Sequence, residues 1–128
     1  MNASQIRARA MGASRTAGAA QFTFTSLDGP DTPPGQSVQV LILRASPDNM
    51  RLAREAATTA KGDPAKGIAD TISNERMLVA LGIQVTADQD GAQIFEMKDL
   101  DSLMTNPCGA DLMAVGMRVS KVIQAAGN

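Results

Sequence analysis

Twice near the start of the chain, apolar and polar residues alternate, and each alternation predicts a strand. Gln21-Phe22-Thr23-Phe24-Thr25 has the two-residue period of a half-buried strand, with Phe22 and Phe24 on its core face. Ser37 to Arg44 repeats the pattern. Val38, Val40 and Ile42 share one face there, and Leu41 and Leu43 on the other imply that it too is partly covered. Between them, Asp28-Gly29-Pro30 and Pro33-Pro34-Gly35 mark a long loop. An antiparallel pair across that loop is the simplest arrangement. The period then changes to that of helices. Ser46-Pro47-Asp48 supplies a cap, a proline suited to the first turn and an acid at the positive end of the dipole. The helix it opens runs through Met50, Leu52, Ala53, Ala56 and Ala57 to about Lys61, where Gly62 ends it. Gly62 to Gly67 reads as a polar hinge. A second helix covers Ser73 to Ile83, with Met77, Leu78 and Leu81 on its buried side. Ile83, Val85 and Thr86 are β-branched, so a strand from Gly82 to Ala87 competes for its end. Asp88-Gln89-Asp90-Gly91 is a turn, and Ile94-Phe95 is a short extended piece. Asp99 to Thr105 forms a short helix that Pro107 stops. The last helix spans about Ala110 to Ala125. Gly116 within it permits a close backbone approach.

These elements give an α+β class: a short N-terminal antiparallel β-hairpin followed by a small bundle of about four helices. Residues 1–20 carry Arg7, Arg9 and Arg15, no acid and few large apolar anchors, and so read as a flexible basic arm. Residues 21–128 are the single α+β domain.

Composition narrows the chemistry sharply. The 128 residues include no His and one Cys, so neither a Ser-His-Asp triad, a Cys-His dyad nor an imidazole metal site can be built from this chain alone. A lone Cys makes no intramolecular disulfide and suits a reducing cytoplasm. The net charge of −1 argues against a general nucleic-acid binder, and no apolar run approaches the ~20 residues that span a bilayer. Thr86, Asp88, Asp90 and Gly91 sketch part of a calcium loop, but Met97 stands where a bidentate Glu belongs. Asp99, Asp101 and Asp111 fall at helix starts, where acids stabilise the dipole. Cys108 sits at a helix N-terminus, which can lower a thiol pKa, yet no His is present to act as its base. No catalytic residue, cofactor or metal ligand is therefore assigned.

One compositional feature carries functional weight. Eight Met and three Phe replace the usual aromatic content, and Met-rich surfaces adapt to partners. The final helix crowds Leu112, Met113, Val115, Met117, Val119, Val122 and Ile123 into twelve residues. That exceeds the stripe a small domain buries. Leu112, Met113, Met117, Val119 and Ile123 are accordingly expected to form a partner surface for a foreign helix or a second copy of the chain.

The order of elements supplies a resemblance. Leu41-Ile42-Leu43-Arg44-Ala45-Ser46-Pro47 passes from strand to helix. Asp88-Gln89-Asp90-Gly91-Ala92-Gln93-Ile94-Phe95 places an acidic-Gly turn before an apolar pair. Asp99-Leu100-Asp101-Ser102-Leu103 and a terminal helix close the chain. Over about residues 21–125 this resembles the tail assembly chaperones that long-tailed bacteriophages encode beside the tape-measure gene. The resemblance implies a non-enzymatic protein of the host cytoplasm. It would coat the tape-measure protein, recruit tail-tube subunits and leave before the virion is complete. A small phage subunit retained in the particle, such as a head-completion or tail protein, is the alternative. A DNA-binding regulatory module is a further one, and steep salt dependence would identify it.

Overall fold

Helix formation starts at the second residue of the chain. Asn2 Oδ1 accepts the Gln5 amide, Gln5 Oε1 accepts the Asn2 amide, and this reciprocal cap opens α1 (Ala3–Met11). The computed structural model describes residues 1–16 and 19–127, with side chains as far as residue 123. No residue of α1 is buried. The basic arm is thus partly helical, and its Arg15 is bonded to the domain, whereas the composition of residues 1–20 predicts an arm with no order of its own.

β1 (Ala20–Phe24) and β2 (Val38–Ile42) pair antiparallel, with Phe22 opposite Val40 and Phe24 opposite Val38. Phe24 and Val40 are each 1% exposed, while Phe22 is half-buried and meets Phe24 edge-on at 5.9 Å between ring centroids. Val38, predicted to face the core, is exposed at the end of the pair. α2 (Pro47–Ala57) starts where Asn49 Oδ1 accepts the Ser46 amide. It stops short of Lys61. Thr58 and Thr59 are β-branched, and β3 (Thr58–Ala60) pairs with β4 (Thr71–Ile72) instead. The predicted hinge from Gly62 to Gly67 is the ordered connection of this hairpin. Asp63 Oδ1 accepts the Ala65 amide, Gly67 takes φ +69°, and the Gly62 amide bonds Asp70 Oδ1.

α3 (Asn74–Val85) begins at Ser73, whose Oγ accepts the Arg76 amide. From Leu78 to Val85 every residue is buried, which is the signature of a helix at the centre of its domain. Helix and strand both occur over residues 82–87. α3 runs to Val85, Thr86 Oγ1 bonds the Gly82 carbonyl, and β5 (Thr86–Ala87) then pairs with β2. The sheet is therefore three-stranded in the order β1-β2-β5, and the N-terminal hairpin is only part of it. After the Asp88–Gly91 turn come a 3-10 turn at Met97–Asp99, α4 (Leu100–Met104) and α5 (Cys108–Gly127). α3 packs against α2, α4 and α5. The class is α+β, with a second small hairpin and a third sheet strand added to the predicted plan.

Candidate interaction site

The crossing of α3 and α5 sets which side of α5 remains open. A Cβ on Gly116 would lie 2.7 Å from Leu78 C and 3.0 Å from Leu78 Cα, with the carbonyl oxygen nearer still. On Gly82, a Cβ would lie 2.9 Å from Leu112 C and 3.1 Å from Leu112 Cα. Each helix thus lays a glycine on the other's leucine backbone, with the contacts in antiparallel order. Only the absence of side chains at both glycines permits this approach.

Leu112 and Val115 are fully buried by that crossing, and Val119 is 7% exposed. Leu112, predicted as a partner residue, is enclosed in the core; Val119, also predicted, is mostly buried but lines the groove beside the sheet. Met113 is half-buried and lines a small hollow of about 240 Å³ with Met104, Val79 and Leu103. Met117, one turn on, is 46% exposed, and Val122 is 65% exposed. Five residues separate Met117 from Val122, which is about 140° around a helix. Of the predicted surface, Met113 and Met117 thus lie on one flank, while half-buried Ile123 lines a groove together with Val122, which is not among the predicted residues.

The Val122 flank borders a groove of about 420 Å³ between the last turns of α5 and the sheet. Ile42, Leu43 and Ala45 form one wall, Val119, Val122 and Ile123 the other, and Arg44 and Arg118 stand at its rim. Among the described residues neither arginine has an acidic partner at ion-pair distance. An adjoining hollow shares Arg44 and Ala45 and is bounded by Ala13, Ser14 and Arg15. Arg15 holds this corner together. Its Nε donates to the Arg44 carbonyl at 3.1 Å, and its Nη2 donates to the Gln84 carbonyl at 3.2 Å and to Asn49 Oδ1 at 3.5 Å. The Arg44 amide in turn donates to the Arg15 carbonyl at 3.0 Å. Gln84, 5% exposed, is satisfied by the Asn49 carbonyl, the Ala80 carbonyl and Asn49 Nδ2. Sequence periodicity signals neither the groove nor the clasp. A run of Arg44-Ala45 directly after a buried strand was the available hint.

The other chemical candidates occupy structural positions. Cys108 is 4% exposed, and burial, reinforced by nearby Asp111, pushes its thiol pKa up despite the helix N-terminus. Asp111 accepts both the Ser26 amide, at 2.9 Å, and the Ser26 hydroxyl, so it pins the turn after β1 to α5. Asp99 Oδ2 accepts the Glu96 amide, and Asp101 pairs with Arg76 at 2.7 Å. In the calcium-like stretch, Asp88 Oδ1 accepts the Asp90 and Ala92 amides and the Thr86 side chain is buried, so these oxygens close a turn. Among the described residues no cluster of three metal-binding side chains occurs, and no helix is long and apolar enough to cross a membrane.

No protein-family model and no curated protein sequence matches the chain. A solved structure of the bacteriophage HK97 tail assembly chaperone is similar to it at 17% identity and a TM-score of 0.46, covering 91% of this chain and 98% of that one.

Proposed function

We propose that this chain is a non-enzymatic assembly chaperone of a long-tailed phage, which binds the tape-measure protein and recruits tail-tube subunits. The observation that carries the reading is the apolar surface left open along α5, where Met117 and Val122 stand 46% and 65% exposed on either flank. Val122 is continuous with Ile42, Leu43, Val119 and Ile123 around the groove beside it, and contiguous apolar surface of this kind marks interaction sites. The strand-to-helix passage at Arg44, the Asp88–Gly91 turn before Ile94-Phe95 and the closing helix pair carry the sequence resemblance to these chaperones.

Coexpression tests the proposal. A very long helical open reading frame should lie beside this gene, and its product should stay soluble and co-purify with the chain. Insolubility of that product with and without the chain would refute a chaperone role. Retention of the chain in purified particles would instead identify a structural subunit.

A further inference from the structure

We propose that the groove between α5 and the end of β2 docks an apolar peptide segment flanked by acidic residues. Its walls are aliphatic: Ile42, Leu43, Ala45, Val119, Val122 and Ile123. Its volume of about 420 Å³ falls within the range of ligand-holding clefts, roughly 300–1,000 Å³. The rim is basic. Arg44 and Arg118 are exposed, and among the described residues neither has a carboxylate partner. Among the described residues, no acidic one lines the groove or the hollow beside it, where Arg15 lies.

Those two properties together define the occupant. A purely aliphatic segment would fill the walls and leave two guanidinium groups facing its edges. Carboxylates flanking the aliphatic core give those groups charge-assisted partners and complement the potential at the rim. A basic segment, including the chain's own Arg7 and Arg9 region, would be repelled. Among the described residues the lining contains no aromatic side chain on which bases could stack, so a single-stranded nucleic acid finds only the rim. The groove binds acid-flanked segments whether or not the chain works in tail assembly, so loss of one property leaves the other to be measured separately.

The experiment uses the full chain and three labelled helical peptides of about 18 residues, roughly five turns. They share one Leu/Ile face and differ in flanking Glu, Gln or Lys. Fluorescence anisotropy should rank them Glu, Gln, Lys in affinity, with at least a tenfold span. Val122→Asp should abolish binding of all three. The double variant Arg44→Glu with Arg118→Glu should reverse the ranking while melting like the parent, because Arg44 contributes only backbone groups to the Arg15 clasp. Equal binding of the Glu and Lys peptides, an unchanged ranking in the double variant, or no saturable binding of any peptide would overturn the proposal. Tighter binding of a DNA oligonucleotide than of the Glu peptide would overturn it as well. So would concentration-dependent dimerisation that Val122→Asp abolishes and the Glu peptide does not displace.

Discussion

Replacing Gly116 by Ala adds one methyl group at the point where α5 lies on α3. That methyl would sit 2.7 Å from Leu78 C and 3.0 Å from Leu78 Cα, against the 3.4 Å at which ordinary contact begins. The obstacle is backbone, so no side-chain rotation relieves it. The helices must part by at least about 0.7 Å, the difference between 3.4 and 2.7 Å. Overpacking of this kind costs ~1–3 kcal/mol, and separating α3 from α5 loosens Val79, Leu81 and Val115 together, which places the cost at the upper end. Alanine returns up to ~1 kcal/mol through its higher helix propensity. The expected net loss is ~2 kcal/mol, or a fall of roughly 6–10 °C in Tm for a domain this size. Urea unfolding followed by circular dichroism measures it directly. Gly29→Ala is the control, since a methyl there meets nothing within 4 Å and should leave stability unchanged or slightly raised. Gly82→Ala should behave like Gly116→Ala. The double variant should cost less than the sum, because one separation of the helices accommodates both methyls. A Gly116→Ala protein as stable as the parent, with the same m-value, would refute the backbone-on-backbone crossing.

Phe24→Ala should cost ~3–5 kcal/mol and Phe22→Ala clearly less, since Phe24 is buried and Phe22 only half so; equal losses in the same urea titration would contradict the packing. Limited trypsin digestion should cut after Arg7 and Arg9 before Arg15, because α1 buries nothing and helices below ~12–15 residues are marginal alone. Equal initial rates at Arg9 and Arg15 would argue against the Arg15 clasp. Cys108, its thiol pKa raised from 9.0 by burial and Asp111, should resist alkylation at neutral pH until denaturant is added. The sign for stability follows: above the ordinary thiol range the unfolded chain has released a proton that the folded chain keeps, so stability falls as pH rises, and Cys108→Ala should flatten that fall. Met117→Glu should melt like the parent yet lose co-purification with the tape-measure protein, whereas Met113→Glu should also lower Tm; unchanged co-purification in both would place the partner surface elsewhere.

Local patterns were legible in the chain, and non-local ones were not. The alternation around Phe22 and Phe24 and around Val40 and Ile42 is a property of a few adjacent residues, and both strands stand where it puts them. The Ser46 and Ser73 helix starts are local in the same sense. β5 consists of two residues whose partners, Leu41 and Ile42, lie over forty positions away; the β-branched run before it signals a strand there but not its partner, and β3 and β4, of three and two residues, carry no periodic signal at all. Arg15 is the sharpest case. Composition marks it as one more cation in an acid-free arm, yet its guanidinium reaches acceptors on Arg44, Asn49 and Gln84. Acceptors created by turns and helix ends exist only once the chain has folded.

The apolar residues of α5 show why a count could suggest an interaction surface but not locate it. A helix that meets its neighbour through large side chains is held at a distance, whereas glycine contacts let the backbones approach. With Gly116 against Leu78 and Gly82 against Leu112, the two backbones touch, and α5 buries about half its circumference, from Asp111 to Ser120. Leu112, Val115 and Val119 fall on that face and are buried, Met113 lies at its edge and Met117 beyond it, while Val122, about 20° around the helix from Val115, shares the buried face but is exposed near the end of α5. Met117 is thus exposed because it lies off the face that α3 covers, and Val122 because it lies past the glycine contacts, toward the end of α5. A substitution that forces the helices apart should therefore lower stability and leave Met117 available to a partner.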